Sequence, residues 1–258
     1  MCAKFNVLLT AVFLSAALPL HARETLIIGV ENQPYLPTYA YENGVYIGFA
    51  RELFDAFAQD RGYALEYRAL PVPRLYASFF EGQIDFKFPD NPRWKQEQRE
   101  KKTIHYSDPI VAYVDGVSTL PHKKTTKPDD IKRLGTMRGF TPWAWIDRIE
   151  SGKTILSENT QLAALIRQTQ VGRIDGIYAN VAVINYQLDH ILKRPGALTF
   201  NPGLPSSRDY YYLATLKRPE VLTEFNQWMH KNRTQIAALK QKYAVEKGVI
   251  APAATSQP

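Results

Sequence analysis

A strand-helix-strand pattern is laid down twice in this chain, and both copies close on the same four-residue form, Gly82-Gln83-Ile84-Asp85 and Gly172-Arg173-Ile174-Asp175. In each, glycine ends a helix and Ile-Asp opens the next strand. The first copy begins with the apolar, β-branched run Thr25 to Val30, suited to a buried strand. From Tyr46 to Asp60, Phe49, Leu53 and Phe57 recur every fourth residue, the stripe of a helix packed on a sheet, and Arg61-Gly62 ends it. A strand (Leu65 to Leu70), a short helix (Arg74 to Glu81) and a strand (Ile84 to Phe88) complete the copy. The second copy predicts strands at Leu134 to Arg138, Thr154 to Leu156 and Ile174 to Tyr178, separated by helices at Thr141 to Glu150 and Thr160 to Val171. Such alternation specifies an α/β fold with largely parallel sheets.

Two longer runs, Val111 to Leu120 and Arg208 to Leu216, read as strands that leave the first unit and return to it after the second. Two crossings predict a two-lobed molecule with a cleft. Its first lobe is discontinuous (residues 23–113 and 207–250), its second lobe is residues 114–206, and 251–258 form a flexible tail of small and polar residues. From Pro219 to Lys247 two helices are expected, with Val221, Phe225, Trp228 and Met229 as a core-packing face.

Residues 1–22 break this pattern. Lys4 precedes an apolar run from Phe5 to Leu20, and the sequence Leu20-His21-Ala22 ends it, the form of a secretory signal peptide cut after Ala22. The run is short for a membrane span, so a soluble, exported, periplasmic protein is expected. Cleavage would remove Lys4, lowering the formal charge of +7 by one, and the single cysteine, Cys2, leaving no thiol for a disulfide. With 45% hydrophobic and 22% charged residues, neither disorder nor a multi-pass membrane protein is expected.

Signals for catalysis are sparse. The five histidines stand apart from one another, so no metal site is expected, and no nucleophile elbow, phosphate loop or dinucleotide fingerprint is present. Asp129-Asp130 precedes an apparent helix start, where capping accounts for it. The charged stretch Arg93 to Lys102 mixes signs, so it reads as a solvated helix face and no nucleic-acid partner is expected. What remains suits a small polar ligand. Asn91-Pro92 reads as a helix cap with proline at the first position, followed at once by Arg93, which together would favour an anion. Arg138 to Trp143 repeats a strand end, a glycine turn and a helix start, with Thr141 offering a hydroxyl. Tyr35, Tyr39, Trp143 and Trp145 lie in or beside loops at strand ends, where open α/β sheets bind ligands.

Taken in order, Ile28-Gly29-Val30, Gly48-Phe49 with Glu52-Leu53, Gly82 to Asp85, Tyr106-Ser107-Asp108-Pro109, Leu134 to Gly139 followed by Thr141, Gly172 to Asp175 and Lys242-Tyr243 resemble the periplasmic solute-binding proteins of the polar amino-acid type, family 3, over residues 25–247. The resemblance implies a type II Venus-flytrap fold, two mixed sheets with a ligand cleft between lobes. It implies a monomeric, cofactor-free, non-catalytic carrier that hands its solute to the permease of an ABC-type transporter. An arginine of the family clamps the ligand's carboxylate; counting from the helix cap points near Arg93 and counting back from Ser107-Asp108 points near Arg99, with the cap favouring Arg93. The family's hydroxyl positions before that arginine are here Pro89-Asp90-Asn91, whereas Thr141 matches its hydroxyl in the second lobe. Asn180 stands where amino-acid binders carry an aspartate for the ammonium, which predicts a polar or anionic solute other than a standard α-amino acid. Lys87 and Arg74 would add positive charge to the cleft. Two alternatives stay open: an enzyme on this scaffold, similar to a cyclohexadienyl dehydratase with Asp90 or Glu31 as acid/base, and a sensor partner of a membrane receptor.

Overall fold

Two parallel three-stranded sheets, each flanked by helices, are joined edge to edge by a pair of long antiparallel strands. The computed structural model describes residues 23–249, so the expected signal peptide and the 251–258 tail lie outside the described residues. No helix among the described residues is long and apolar enough to cross a membrane.

The first unit runs β1 (Thr25–Glu31), a hairpin of β2 (Ala40–Glu42) and β3 (Val45–Ile47), α1 (Phe49–Arg61), β4 (Ala64–Leu70), α2 (Val72–Phe80) and β5 (Phe86–Asp90). A single helical turn, α3 (Gln96–Arg99), and the short β6 (His105–Tyr106) lead to the long β7 (Val111–Thr119). The second unit runs β8 (Arg133–Met137), α4 (Ile146–Glu150), β9 (Ile155–Asn159), α5 (Leu162–Gln170), β10 (Gly176–Asn180) and α6 (Val181–Tyr186). After β11 (Thr199–Phe200), the long β12 (Ser207–Thr215) returns, followed by α7 (Pro219–Lys231) and α8 (Arg233–Tyr243).

Strand order is β4-β1-β5-β12-β7-β10-β8-β9, which reads the same from either end once β1 is matched with β8, β5 with β10 and β12 with β7. The tetrapeptides explain the likeness. A side chain on Gly29 of β1 would lie 2.3 Å from the Ile84 methyl, and one on Gly135 of β8 would lie 2.5 Å from the Ile174 methyl, so each isoleucine packs directly over a bare backbone. The aspartates then lock the first strand: Asp85 accepts from the Ile27 amide at 2.8 Å, and Asp175 accepts from the Arg133 amide at 2.8 Å. Because Ile84-Asp85 and Ile174-Asp175 do this work, regular pairing starts only at Phe86 and Gly176, two residues later than the sequence pattern suggests.

Helix α1 ends where Gly62 turns left-handed (φ 81°), and its buried face carries the expected Phe49, Leu53 and Phe57. That face meets α7, whose Val221, Phe225, Trp228 and Met229 are buried; Phe57 and Phe225 touch edge to face at 5.1 Å.

Two helices begin several residues later than expected. After Asn91-Pro92 the chain makes turns, and Lys95 adopts a left-handed conformation (φ 50°) that delays the helix to Gln96. After Gly139 (φ 85°) a 3-10 turn, Trp143–Trp145, precedes α4. That tight turn buries Trp145 completely and lets its indole N–H donate to the Pro205 carbonyl at 3.0 Å.

Candidate functional site

The carboxyl ends of β1, β5, β8 and β10 point toward one another across the paired stretch of β7 and β12, and a cavity partly open to solvent lies between them. Glu31, Tyr39, Val72, Tyr76, Pro89, Trp94 and Lys95 wall it from the first unit; Gly139, Phe140, Thr141, Trp143, Tyr178 and Ala179 wall it from the second. The crossing strands supply Asp115 and Tyr211.

The two units touch around this space. Tyr35 accepts a hydrogen bond from the Asn180 amide at 3.1 Å, and the Gln33 side chain donates to the Arg138 carbonyl at 3.3 Å. Phe140 meets Tyr35 edge to face at 5.2 Å, and a side chain on Gly139 would stand 3.1 Å from Val72. Glycine is needed at position 139 both for its positive φ and for this approach.

Two carboxyl groups face the cavity. Glu31, at the end of β1, is 3% exposed and accepts from the Tyr39 hydroxyl. Burial pushes its pKa up to about 7 against the opposing field of Lys87. Asp115 sits mid-way along β7, where the register pairs it with Ser207 of β12 on one side and Asn180 of β10 on the other. Burial, reinforced by the charge of Glu31, also raises its pKa to about 7, and its Oδ1 is shielded from water without a hydrogen-bond partner. Neither acid has an ion-pair partner among the described residues.

Behind the first-unit wall lies a second charged group, and it is closed on itself. Lys87, fully buried, donates to the Pro89 carbonyl at 2.6 Å and to Asp90 Oδ1 at 3.2 Å, with its ammonium 4.2 Å from the Tyr76 ring centre. Burial lowers the Lys87 pKa, while Asp90 and Glu31 oppose that fall. Arg99 grips the same Asp90 with both terminal nitrogens, at 3.1 and 2.6 Å, and also donates to the Tyr106 hydroxyl and the Trp94 carbonyl. Burial works against the Arg99 charge, yet Asp90 holds its pKa above the ordinary value.

The residues singled out from sequence fall in different places. Thr141, Trp143 and Tyr39 border the cavity. Lys87, Asp90 and Arg99 form the closed cluster behind it. Asn91 accepts from the Arg93 amide at 2.8 Å and donates to the Tyr210 carbonyl at 3.0 Å. Asn180 caps α6, accepting from the Ala182 amide at 2.8 Å, and donates to the Tyr211 hydroxyl at 3.1 Å. Tyr35 backs the wall and Trp145 is packed in the second unit's core. Arg93 is 74% exposed in its side chain, 3.6 Å from Asp209, and Arg74 is exposed on α2; neither borders the cavity. Sequence reasoning missed Asp115, Tyr76, Trp94, Tyr178 and Tyr211. A usable signal existed for Asp115, a lone acid in the otherwise apolar or small run VAYVDGVST.

No group of three or more His, Cys, Asp or Glu side chains among the described residues is placed to hold a metal ion. A sequence profile of the bacterial extracellular solute-binding proteins, family 3, matches residues 26–246. The chain belongs to this family.

Solved structures resemble this family 3 solute-binding protein over nearly their whole length. The arginine-, lysine-, histidine-binding protein ArtJ from Geobacillus stearothermophilus superposes with a TM-score of 0.68 at 16% identity, covering 85% of this chain and 95% of its own. A histidine kinase sensor domain with similarity to periplasmic binding proteins gives 0.70 at 18% identity (89% and 99% covered). An ancestral amino acid-binding protein described as a precursor of cyclohexadienyl dehydratase gives 0.67 at 19% identity (85% and 94% covered). At these identities the likeness establishes the fold, the two-lobed type II periplasmic-binding-protein architecture. No curated protein matches the chain in sequence.

Proposed function

We propose that this protein is a non-catalytic, exported carrier that closes its two lobes around a small solute bearing an amino group and presents it to the permease of an ABC-type transporter. The lobes in this reading divide at residues 113/114 and 206/207, as the crossing strands suggest. One observation carries it: Glu31 and Asp115 face an aromatic-walled cavity with no ion-pair partner among the described residues, so the wall is completed best by a ligand that brings positive charge. This departs from the anionic solute suggested by Arg93, Lys87 and Arg74, because two of those side chains lie off the cavity and the third is engaged by Asp90. Contacts such as Tyr35 to Asn180 form across the cleft, so a ligand filling the cavity would favour the closed state.

A thermal-shift panel of amines, amino acids, carboxylates and sugars tests the reading. A ligand at about 100 times its Kd stabilises by about 2.7 kcal/mol, which for a protein of this size raises Tm by roughly 5–10 °C. The reading requires an amino-bearing hit that is recovered unchanged by NMR after overnight incubation. A dehydratase-like enzyme is the second reading, favoured by two carboxyl groups poised near pH 7 and by the likeness to a dehydratase precursor; conversion of the hit would establish it. A sensor role, suggested by the likeness to a kinase sensor domain, predicts the same ligand but capture of a receptor in place of a permease.

A further inference from the structure

Charge around the cleft is unevenly engaged, and the imbalance bears on what the solute lacks as well as on what it carries. Asp90 occupies the space between the two buried cations of the first lobe. It takes both terminal nitrogens of Arg99 at 3.1 and 2.6 Å and the Lys87 ammonium at 3.2 Å. An incoming carboxylate would have to evict it, leaving a fully buried aspartate unpaired, and a buried anion without a partner is heavily disfavoured. Among the cavity-wall residues the cation is Lys95, half-exposed, where water screens any pair it makes. Glu31 and Asp115 are the reverse case. Glu31 and Asp115 Oδ1 are shielded and face the cavity with no cation within ion-pair distance among the described residues, and Phe140, Trp143, Tyr178 and Tyr211 offer ring surface beside them.

From this we infer that the solute is a small organic cation, an amine or polyamine, that carries no carboxylate: Asp90 already sits where a ligand carboxylate would meet Arg99, and Glu31 and Asp115 await positive charge. The inference rests on the carrier reading above and narrows its substrate class. Positive charge reaching both acids would be anchored by carboxylates of different strands, Glu31 from β1 and Asp115 from a crossing strand, so ligand charge would itself hold the lobes together.

Matched pairs differing only in the α-carboxylate test it: lysine and cadaverine, ornithine and putrescine, arginine and agmatine, titrated calorimetrically into the protein at pH 8. At least one amine should bind ten-fold or more tightly than its amino acid. An amino acid binding as well as its amine, in every pair, overturns the inference while leaving the carrier reading intact. Silence from all amines and amino acids while a sugar or a simple carboxylate binds overturns the inference and the amino-bearing solute together. Glu31→Gln and Asp115→Asn should each weaken amine binding more than ten-fold; undiminished affinity in both overturns the assignment of those acids. Asp90→Asn should shift preference toward the amino acid of the pair by releasing Arg99, and an unchanged ratio in a folded variant would count against Asp90 as the occupant of the clamp. Should that variant fail to fold, the wild-type ratio and the other two variants still decide.

Discussion

Residues 82–90 and 172–180 run in step, ninety positions apart, and then serve opposite ends. Through Gly-x-Ile-Asp they perform identical tasks: left-handed glycines (φ 70° and 72°), isoleucines over Gly29 and Gly135, aspartates clasping the neighbouring strand. Five residues further, at the strand ends, Asp90 binds two buried cations while Asn180, its counterpart, caps a helix. The scaffold constrains both copies in the same way because both must seat a helix-strand turn on a parallel sheet. Past that point each strand end answers to the cleft, and the copies separate.

Truncating the two strand-end residues should separate the copies most. Asp90→Ala strands Lys87 and Arg99 in the interior and should cost about 3–5 kcal/mol, whereas Asn180→Ala removes a cap and one hydroxyl partner and should cost about 1–2 kcal/mol; urea denaturation measures both, and equal losses would erase the distinction. Next in size is a pH effect. Glu31 has a pKa near 7 in the fold and about 4.5 unfolded, so the native state holds the extra proton between those values. The contribution of Glu31 is therefore fully present below about pH 4.5 and is lost as pH rises through 7, by about 3 kcal/mol. Asp115 acts in the same direction through burial and the charge of Glu31, while Lys87, Asp90 and Tyr39 set the field around Glu31. The ligand-free protein should melt lower at pH 8 than at pH 5.5, and Glu31→Gln should flatten that slope.

Smaller still, Gly29→Ala and Gly135→Ala should cost similar amounts, about 1–3 kcal/mol each from overpacking against Ile84 and Ile174; a several-fold difference in thermal unfolding would show that the two copies are not equivalent. Arg93→Ala, at an exposed ion pair, should shift stability by less than about 0.5 kcal/mol.

The scaffold was legible because its rules are local: glycine before Ile-Asp, an apolar stripe at every fourth residue of α1, an apolar α7 face. The cleft was legible in part. Thr141, Trp143 and Tyr39 could be placed at its wall because they follow strand ends, where the fold always opens. Arg93 drew attention through a helix cap that the left-handed Lys95 cancels, and a single backbone angle of that kind is not written in residue type. Asp115 went unread because a lone acid in a nine-residue strand becomes a wall residue only when the two neighbouring strands and their register are known.

The pairing of β12 with β5 and β6 has a consequence for how the chain is made. Thr215 bonds to the Asp85 carbonyl across 130 positions, so the first lobe's sheet acquires its last strand only when nearly the whole chain has emerged. The second lobe's β8, β9 and β10 are contiguous and can assemble earlier. Until β12 arrives, β5 is an unpaired edge on which Phe86 and Phe88 alternate with Lys87 and lead to Pro89-Asp90. A nascent or proteolysed chain ending before residue 207 thus leaves that edge unpaired, and its Lys87, Pro89 and Asp90 work against pairing with another copy.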